Sequence, residues 1–184
     1  MPEGVERAAG VALDEKLYVI GGYDTHNVHL KSTLAFDASN EKWLRKGRDR
    51  MPGDLKTGRS NAAAAVFRDA KGRPTIVVCG DESKGAGGER DASCEQYDPA
   101  GDDNKWRPFA SLNEPRAGHA MVSLSGNTRL FVLGGASTDR DKLARGRGIE
   151  EYNSTTNGQW VLTTDVLPFK MDDVAAVAYW DTVE

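Results

Sequence analysis

The chain has 184 residues, of which 39% are apolar and 8% aromatic, enough for a globular core and too much for a disordered tail. Its 24 Lys and Arg against 28 Asp and Glu leave a net charge of −4, which excludes a general affinity for nucleic acid but leaves room for local basic patches. The apolar runs, the longest being Ala62 to Phe67 and Val174 to Trp180, fall far short of a membrane span, and the opening MPEGVERAAG is polar. The expectation is therefore a soluble, cytoplasmic chain. Cys79 lies in an apolar run and Cys94 precedes Glu95; they form neither a metal spacing nor a disulfide framework, as expected of a reducing compartment.

In chain order, a small-residue run RAAGVAL (Arg7 to Leu13) is followed by KLYVIGGYD (Lys16 to Asp24), a strand-like run that stops on two glycines. A polar loop leads to a short strand ending at Phe36-Asp37, and beyond the turn DASNEK stands Trp43. The same order returns twice. Arg59 precedes SNAAAAVF, TIVVCGDES runs from Thr75 to Ser83, EQYDP carries Tyr97-Asp98, and Trp106 follows DPAGDDNK. Arg116 then precedes AGHAMVSL, RLFVLGGAS runs from Arg129 to Ser137, EEYNS carries Tyr152-Asn153, and Trp160 follows. Lys170 opens a fourth small-residue run, MDDVAAVAYW. The glycines Gly21, Gly80 and Gly134 are spaced by 59 and 54 residues.

Self-similarity at such a period marks a copied supersecondary unit. Each copy reads as four short strands: a (Ala8 to Leu13, Asn61 to Phe67, His119 to Leu124), b ending at the glycines, c ending at the aromatic, and d beginning at the tryptophan. The run at Ala62 has helix formers, but it is too short to stand alone and its siblings carry Val, Ser and Leu, so a strand is expected. Four-stranded antiparallel units repeated about an axis form a β-propeller, with small residues on the crowded inner strand. The glycine pair lets the chain leave strand b at positive φ; at Gly80-Asp81 the second glycine is replaced by Asp, a residue that tolerates such a conformation.

These landmarks resemble the Kelch family: KLYVIGG and RLFVLGG match its glycine pair, EQYDP and EEYNS its Tyr-Asp segment, Trp43, Trp106 and Trp160 its tryptophan, and Arg59 and Arg116 its arginine before the inner strand. The resemblance covers nearly the whole chain. It departs at Asp81, at Phe36 and Lys170, and in the long connection from Arg45 to Thr57. The implied fold class is an all-β, Kelch-type β-propeller of three four-stranded antiparallel blades (about 7–48, 59–110 and 116–164) plus one extra inner strand in 170–184, which leaves the ring incomplete. Three blades cannot span a turn, so a second copy, further blades of a longer chain, or another protein is expected to cover the open faces. A truncated next repeat is the first choice and homodimeric closure the second.

In such a blade the a–b and c–d turns share one side and the b–c and d–a connections the other. The second set is long (YDTHNVHLK, DESKGAGGERD, ASTDRDKLARG and the inter-blade linkers), and long loops on a rigid scaffold are where binding resides. Local charge there is mixed: Arg45 to Arg59 sums to +4, Asp139 to Arg147 to +2 and Asp81 to Asp91 to −2. A locally basic face favours a protein or peptide partner of acidic character, clamped by arginine; solvated loop charge explains the same pattern equally well. In Kelch proteins the loop carrying the repeat arginine lines the ligand face, so the resemblance implies Arg59, Ser60, Asn61, Arg116 and His119, with Arg7 and Lys170 at less secure matches.

The reading is a non-catalytic interaction module with no cofactor and no metal. It resembles the propeller part of proteins that recruit targets to a ubiquitin ligase or bind the cytoskeleton, and no partner domain that would decide between them is present. His26 and His29 have metal-compatible spacing but no third ligand is identifiable, and Gly85, Gly87 and Gly88 lack the ending of a phosphate loop. No serine elbow or cysteine–histidine pairing stands out. The rival expectation is part of a propeller enzyme, sugar-active or of the galactose oxidase type, whose site missing blades would complete; no copper constellation is visible.

Overall fold

The computed structural model describes residues 1–2, 4–82, 90–136, 147–153 and 158–178. Outside this range lie Gly85, Gly87 and Gly88 with most of their loop, most of ASTDRDKLARG, and residues 179–184 of the expected fourth inner strand. The described elements are strands: β1 (Ala9–Leu13), β2 (Lys16–Ile20), β3 (Thr33–Asp37), β4 (Lys42–Trp43), β5 (Ala63–Arg68), β6 (Pro74–Glu82), β7 (Arg90–Tyr97), β8 (Trp106–Phe109), β9 (Ala120–Leu124), β10 (Arg129–Leu133), β11 (Gly148–Asn153) and β12 (Trp160–Val166). They form three four-stranded antiparallel sheets in sequence order, β1–β4, β5–β8 and β9–β12, and the arc does not close into a ring. Among the described residues no helix is long and apolar enough to cross a membrane.

Local chemistry explains these hairpins. Asp14 and Glu15 between β1 and β2 both take positive φ, the geometry that matches a two-residue turn to strand twist. The alanine-rich run is a strand, Ala63 pairing with Cys79 and Phe67 with Thr75. Pro108 is confined to the outermost strand of its blade, where a missing donor costs least.

Strand alternation gives every blade a backward face toward its predecessor and a forward face toward its successor. Tyr18 and Ile20 on the forward face of blade 1 share a core with Ile76, Val78, Tyr97 and Trp106 on the backward face of blade 2. Val77 and Cys79 on the other side of the same strand share a second core with Leu130, Val132, Tyr152 and Trp160 of blade 3. The tryptophans also reach across: Trp106 Nε1 donates to Thr33 Oγ1 at 3.2 Å and Trp160 Nε1 to the Ala110 carbonyl at 2.9 Å. A leucine in each linker repeats one contact, with Leu55 N donating to Lys31 O, Leu112 N to Ala92 O and Leu167 N to Arg147 O.

Four expectations change. Residues Val174 to Ala178 form no strand. The Arg45 to Thr57 connection is not a free loop, since Met51 and Leu55 are buried in the first core. Asp81 is not left-handed: β6 runs through it to Glu82 with an irregularity between Cys79 and Asp81, so the strand is prolonged rather than turned. Cys79 and Cys94 stand opposite one another in the β6–β7 register and are joined by a disulfide, which removes the cysteine argument for a reducing compartment.

Candidate functional site

The side of the arc that carries the b–c and d–a connections has a hydrogen-bonded rim. The three inner strands and the segment after blade 3 are each entered through a residue at positive φ: Arg7, Asn61, Gly118 and Asp173. These entries are linked from blade to blade, with Asn61 N donating to Arg7 O at 2.9 Å, Gly118 N to Asn61 O at 2.8 Å and Val174 N to Gly118 O at 3.0 Å. Two residues earlier, a carbonyl accepts from the preceding blade: Arg59 O from Gly22 N, Arg116 O from Asp81 N and Met171 O from Gly135 N. This close approach is what the first glycine serves. A Cβ on Gly21, Gly80 or Gly134 would lie 2.4, 2.5 or 2.8 Å from the Arg59, Arg116 or Met171 carbonyl oxygen.

Beneath the rim, arginines brace the blades. Arg59 Nη1 donates to the Gly80 carbonyl (3.1 Å) and the Ser93 carbonyl (2.8 Å), and its Nε and Nη2 to Glu95 Oε1 (3.2 and 3.1 Å). Arg116 repeats the pattern, with Nη1 on the Gly134 and Gly148 carbonyls (2.7 and 3.1 Å) and Nε on Glu150 Oε1 (3.1 Å). The glutamates turn their remaining capacity to linker amides, Lys56 N for Glu95 and Asn113 N for Glu150. Such charges survive burial because every oxygen is engaged.

Arg59, Ser60, Arg116 and His119 are 1%, 1%, 1% and 3% exposed, and further blades could only bury them more. These four side chains, expected on the ligand face, are buried beneath the rim. Neither ring nitrogen of His119 has a hydrogen-bond partner among the described residues, and burial, aided by the Arg116 charge, holds its pKa down to about 3. Asn61 is half-buried in the rim, and Arg7 and Lys170 are exposed at its surface, with the Arg7 guanidinium 5.6 Å from the Tyr23 ring centroid. Arg7 and Lys170 do not stand where Arg59 stands. The carbonyl pattern puts Met171 at the Arg59 position, and the left-handed entries put Arg7 level with Asn61, so Val5 holds that position in blade 1.

Between blades 1 and 2, His29 Nδ1 lies 3.0 Å from Asp81 Oδ1, which also accepts from Ser60 N at 2.6 Å, while Tyr23 stacks on the imidazole at 6.4 Å between centroids. Desolvation raises the Asp81 pKa, opposed by these bonds. His26 does not join this group; it is exposed and paired with Asp24. Among the described residues no set of three His, Cys, Asp or Glu side chains gathers as a metal site would require.

The fold and its repeating rim define a protein of the Kelch-type β-propeller class. The Kelch motif model matches residues 6–46. The chain is 28% identical to Kelch repeat-containing protein kel-10 of Caenorhabditis elegans over 123 residues, 67% of this chain and 19% of that protein. It is 26% identical to Alpha-scruin of Limulus polyphemus over 144 residues, 75% of this chain and 14% of the relative. The solved structure of YjhT superposes with a TM-score of 0.65 at 17% identity, covering 91% of this chain and 53% of YjhT. The chain thus has the Kelch-type propeller fold and is similar to Kelch-repeat proteins, its three blades forming an open arc, and it spans under a fifth of the length of those two relatives.

Sequence reading passed over Glu95 and Glu150, the partners of the arginines. A signal was available: an acid stands two residues before the tyrosine in EQY and EEY, and blade 1, which lacks the arginine, has Leu34 there.

Proposed function

We propose that the chain is a protein-interaction module whose loop-bearing rim receives a protein or peptide partner of acidic character. The observation that carries this reading is the inter-blade chain of hydrogen bonds through Arg7, Asn61, Gly118 and Val174, backed by the buried Arg59 and Arg116. It fixes the entries of successive blades relative to one another, so groups on the rim bind without first losing conformational freedom. Arg7 and Lys170 are exposed there, and half-buried Asn61 donates its N–H to the Arg7 carbonyl. Arginine and lysine beside a backbone-rich rim suit carboxylates in an extended peptide.

The test is fluorescence anisotropy with labelled Asp/Glu-rich peptides. Arg7→Ala combined with Lys170→Ala should weaken the best binder about tenfold or more, as expected for losing two charge contacts. Arg107→Ala, in the outer strand β8 away from the rim entries, should leave it unchanged. Binding that ignores the rim pair and falls with Arg107→Ala would place recognition elsewhere.

A further inference from the structure

We propose that two copies of this chain close head to tail into one six-blade ring, the backward face of blade 1 in each copy docking on the forward face of blade 3 in the other. Inside the chain this joint is already made twice, by Tyr18 and Ile20 against Ile76 and Val78, and by Val77 and Cys79 against Leu130 and Val132. In the repeat, Phe131 and Leu133 occupy the Val77 and Cys79 positions on the forward face of blade 3, and Leu17 and Val19 occupy the Ile76 and Val78 positions on the backward face of blade 1. The two open faces are therefore the two halves of one known joint rather than two unrelated patches. Both are exposed: Leu17 is 50% accessible and Val161, on the forward face beside Glu151, is 58%.

A polar group points the same way. Trp106 and Trp160 each donate an indole N–H to the blade before them, whereas Trp43 has no hydrogen-bond partner among the described residues. Counting on from the tryptophan puts Thr164 of blade 3 at the Ala110 position and counting back from the linker leucine puts Asp165 there, because β11 and β12 shift register between Gly148 and Glu150. A carbonyl of this Thr164–Asp165 step in the second copy is the acceptor assigned to Trp43. A joint between unlike faces makes a closed ring only if the rotation closes, and six blades fall within the four to eight of known propellers. Both rims then share one side of the ring.

One segment stands in the way. Met171 O and Val174 N occupy bonds to Gly135 and Gly118 that the second copy's entry residues would make, since Val5 corresponds to Met171 and Ala8 to Val174. The exchange is bond for bond, and residues 174–178 form no strand. This segment is accordingly a competitor that the second copy displaces.

Light scattering on size-exclusion fractions across a dilution series decides the matter. The 184-residue chain should show a species near twice 20.0 kDa that dissociates on dilution, and removal of residues 171–184, which keeps Lys170, should tighten it. Trp43→Phe should raise the dissociation constant about tenfold, the effect of leaving one acceptor unpaired. Leu17→Glu and Val161→Glu, both at exposed positions and checked for unchanged circular dichroism, should each be monomeric alone. Mixed in equal amounts they should recover a dimer, because one joint of the pair keeps two intact faces. A chain that stays monomeric at every concentration, aggregates without a defined mass, or dimerises as Val161→Glu alone overturns the proposal.

Discussion

Arg116 Nε and Glu150 Oε1 lie 3.1 Å apart with the two side chains 1% and 0% exposed, and the same bond joins Arg59 to Glu95 one blade earlier. Blade 1 has neither charge: Val5 and Leu34 stand at the matching positions. The repeat therefore tolerates a complete pair or none. Arg59→Met should cost about 3–5 kcal/mol, because Glu95 would remain buried without its cation. Arg59→Met with Glu95→Leu, which copies blade 1, should recover most of that loss in urea unfolding. Equal losses in the single and double variants would show that the pair itself, not the orphaned charge, sets the stability.

Gly80→Ala should be far more damaging than Gly72→Ala. Both glycines are at positive φ, which costs an alanine about 1–2 kcal/mol. Only Gly80 adds a collision, with its Cβ 2.5 Å from both the Arg116 carbonyl oxygen and the His119 ring, whereas Gly72 has nothing within 4 Å. Thermal melts compare the two directly, and similar midpoints would contradict the close packing of blades 2 and 3.

His119 makes stability depend on pH. Its folded pKa of about 3 lies below the unfolded value near 6.5, so the unfolded chain binds the extra proton first. Stability from this residue is present above about pH 6.5 and is lost as pH falls toward 3, at up to about 1.4 kcal/mol per pH unit. Wild type should lose stability steadily relative to His119→Phe as pH falls over that range. A pH-independent difference would mean that the ring is hydrated in solution.

The disulfide between Cys79 and Cys94 closes 15 residues. Cys79→Ala with Cys94→Ala should cost about 3 kcal/mol through the freed unfolded chain. Unreduced, denatured protein should show no reactive thiol; two thiols per chain would contradict the linkage.

The blade pattern was legible because its chemistry is local: Gly21, Gly80 and Gly134 meet a carbonyl that tolerates no side chain, and each tryptophan starts an outer strand. The site was less legible because it is made by pairs distant in the chain. Arg59 looks like a surface cation in sequence, and only the β7 register brings Glu95 beneath it. The cysteine pair was within reach: in all three hairpins the residue four before the first glycine faces the aromatic of strand c, and extending that register from Ile76 and Tyr97 sets Cys79 opposite Cys94. Asp81 misled because tolerance of a left-handed position is not a requirement for one, and the strand simply continued through it.

Amide hydrogen exchange at Asn61 and Gly118 tests most directly whether the blades are held at a rigid common rim. Their N–H groups donate from one blade entry to the next, so they should exchange as slowly as the amides of β2, β6 and β10. Exchange at the rate of the exposed turn amide His26 would contradict the rim, and with it the surface on which the proposed recognition depends.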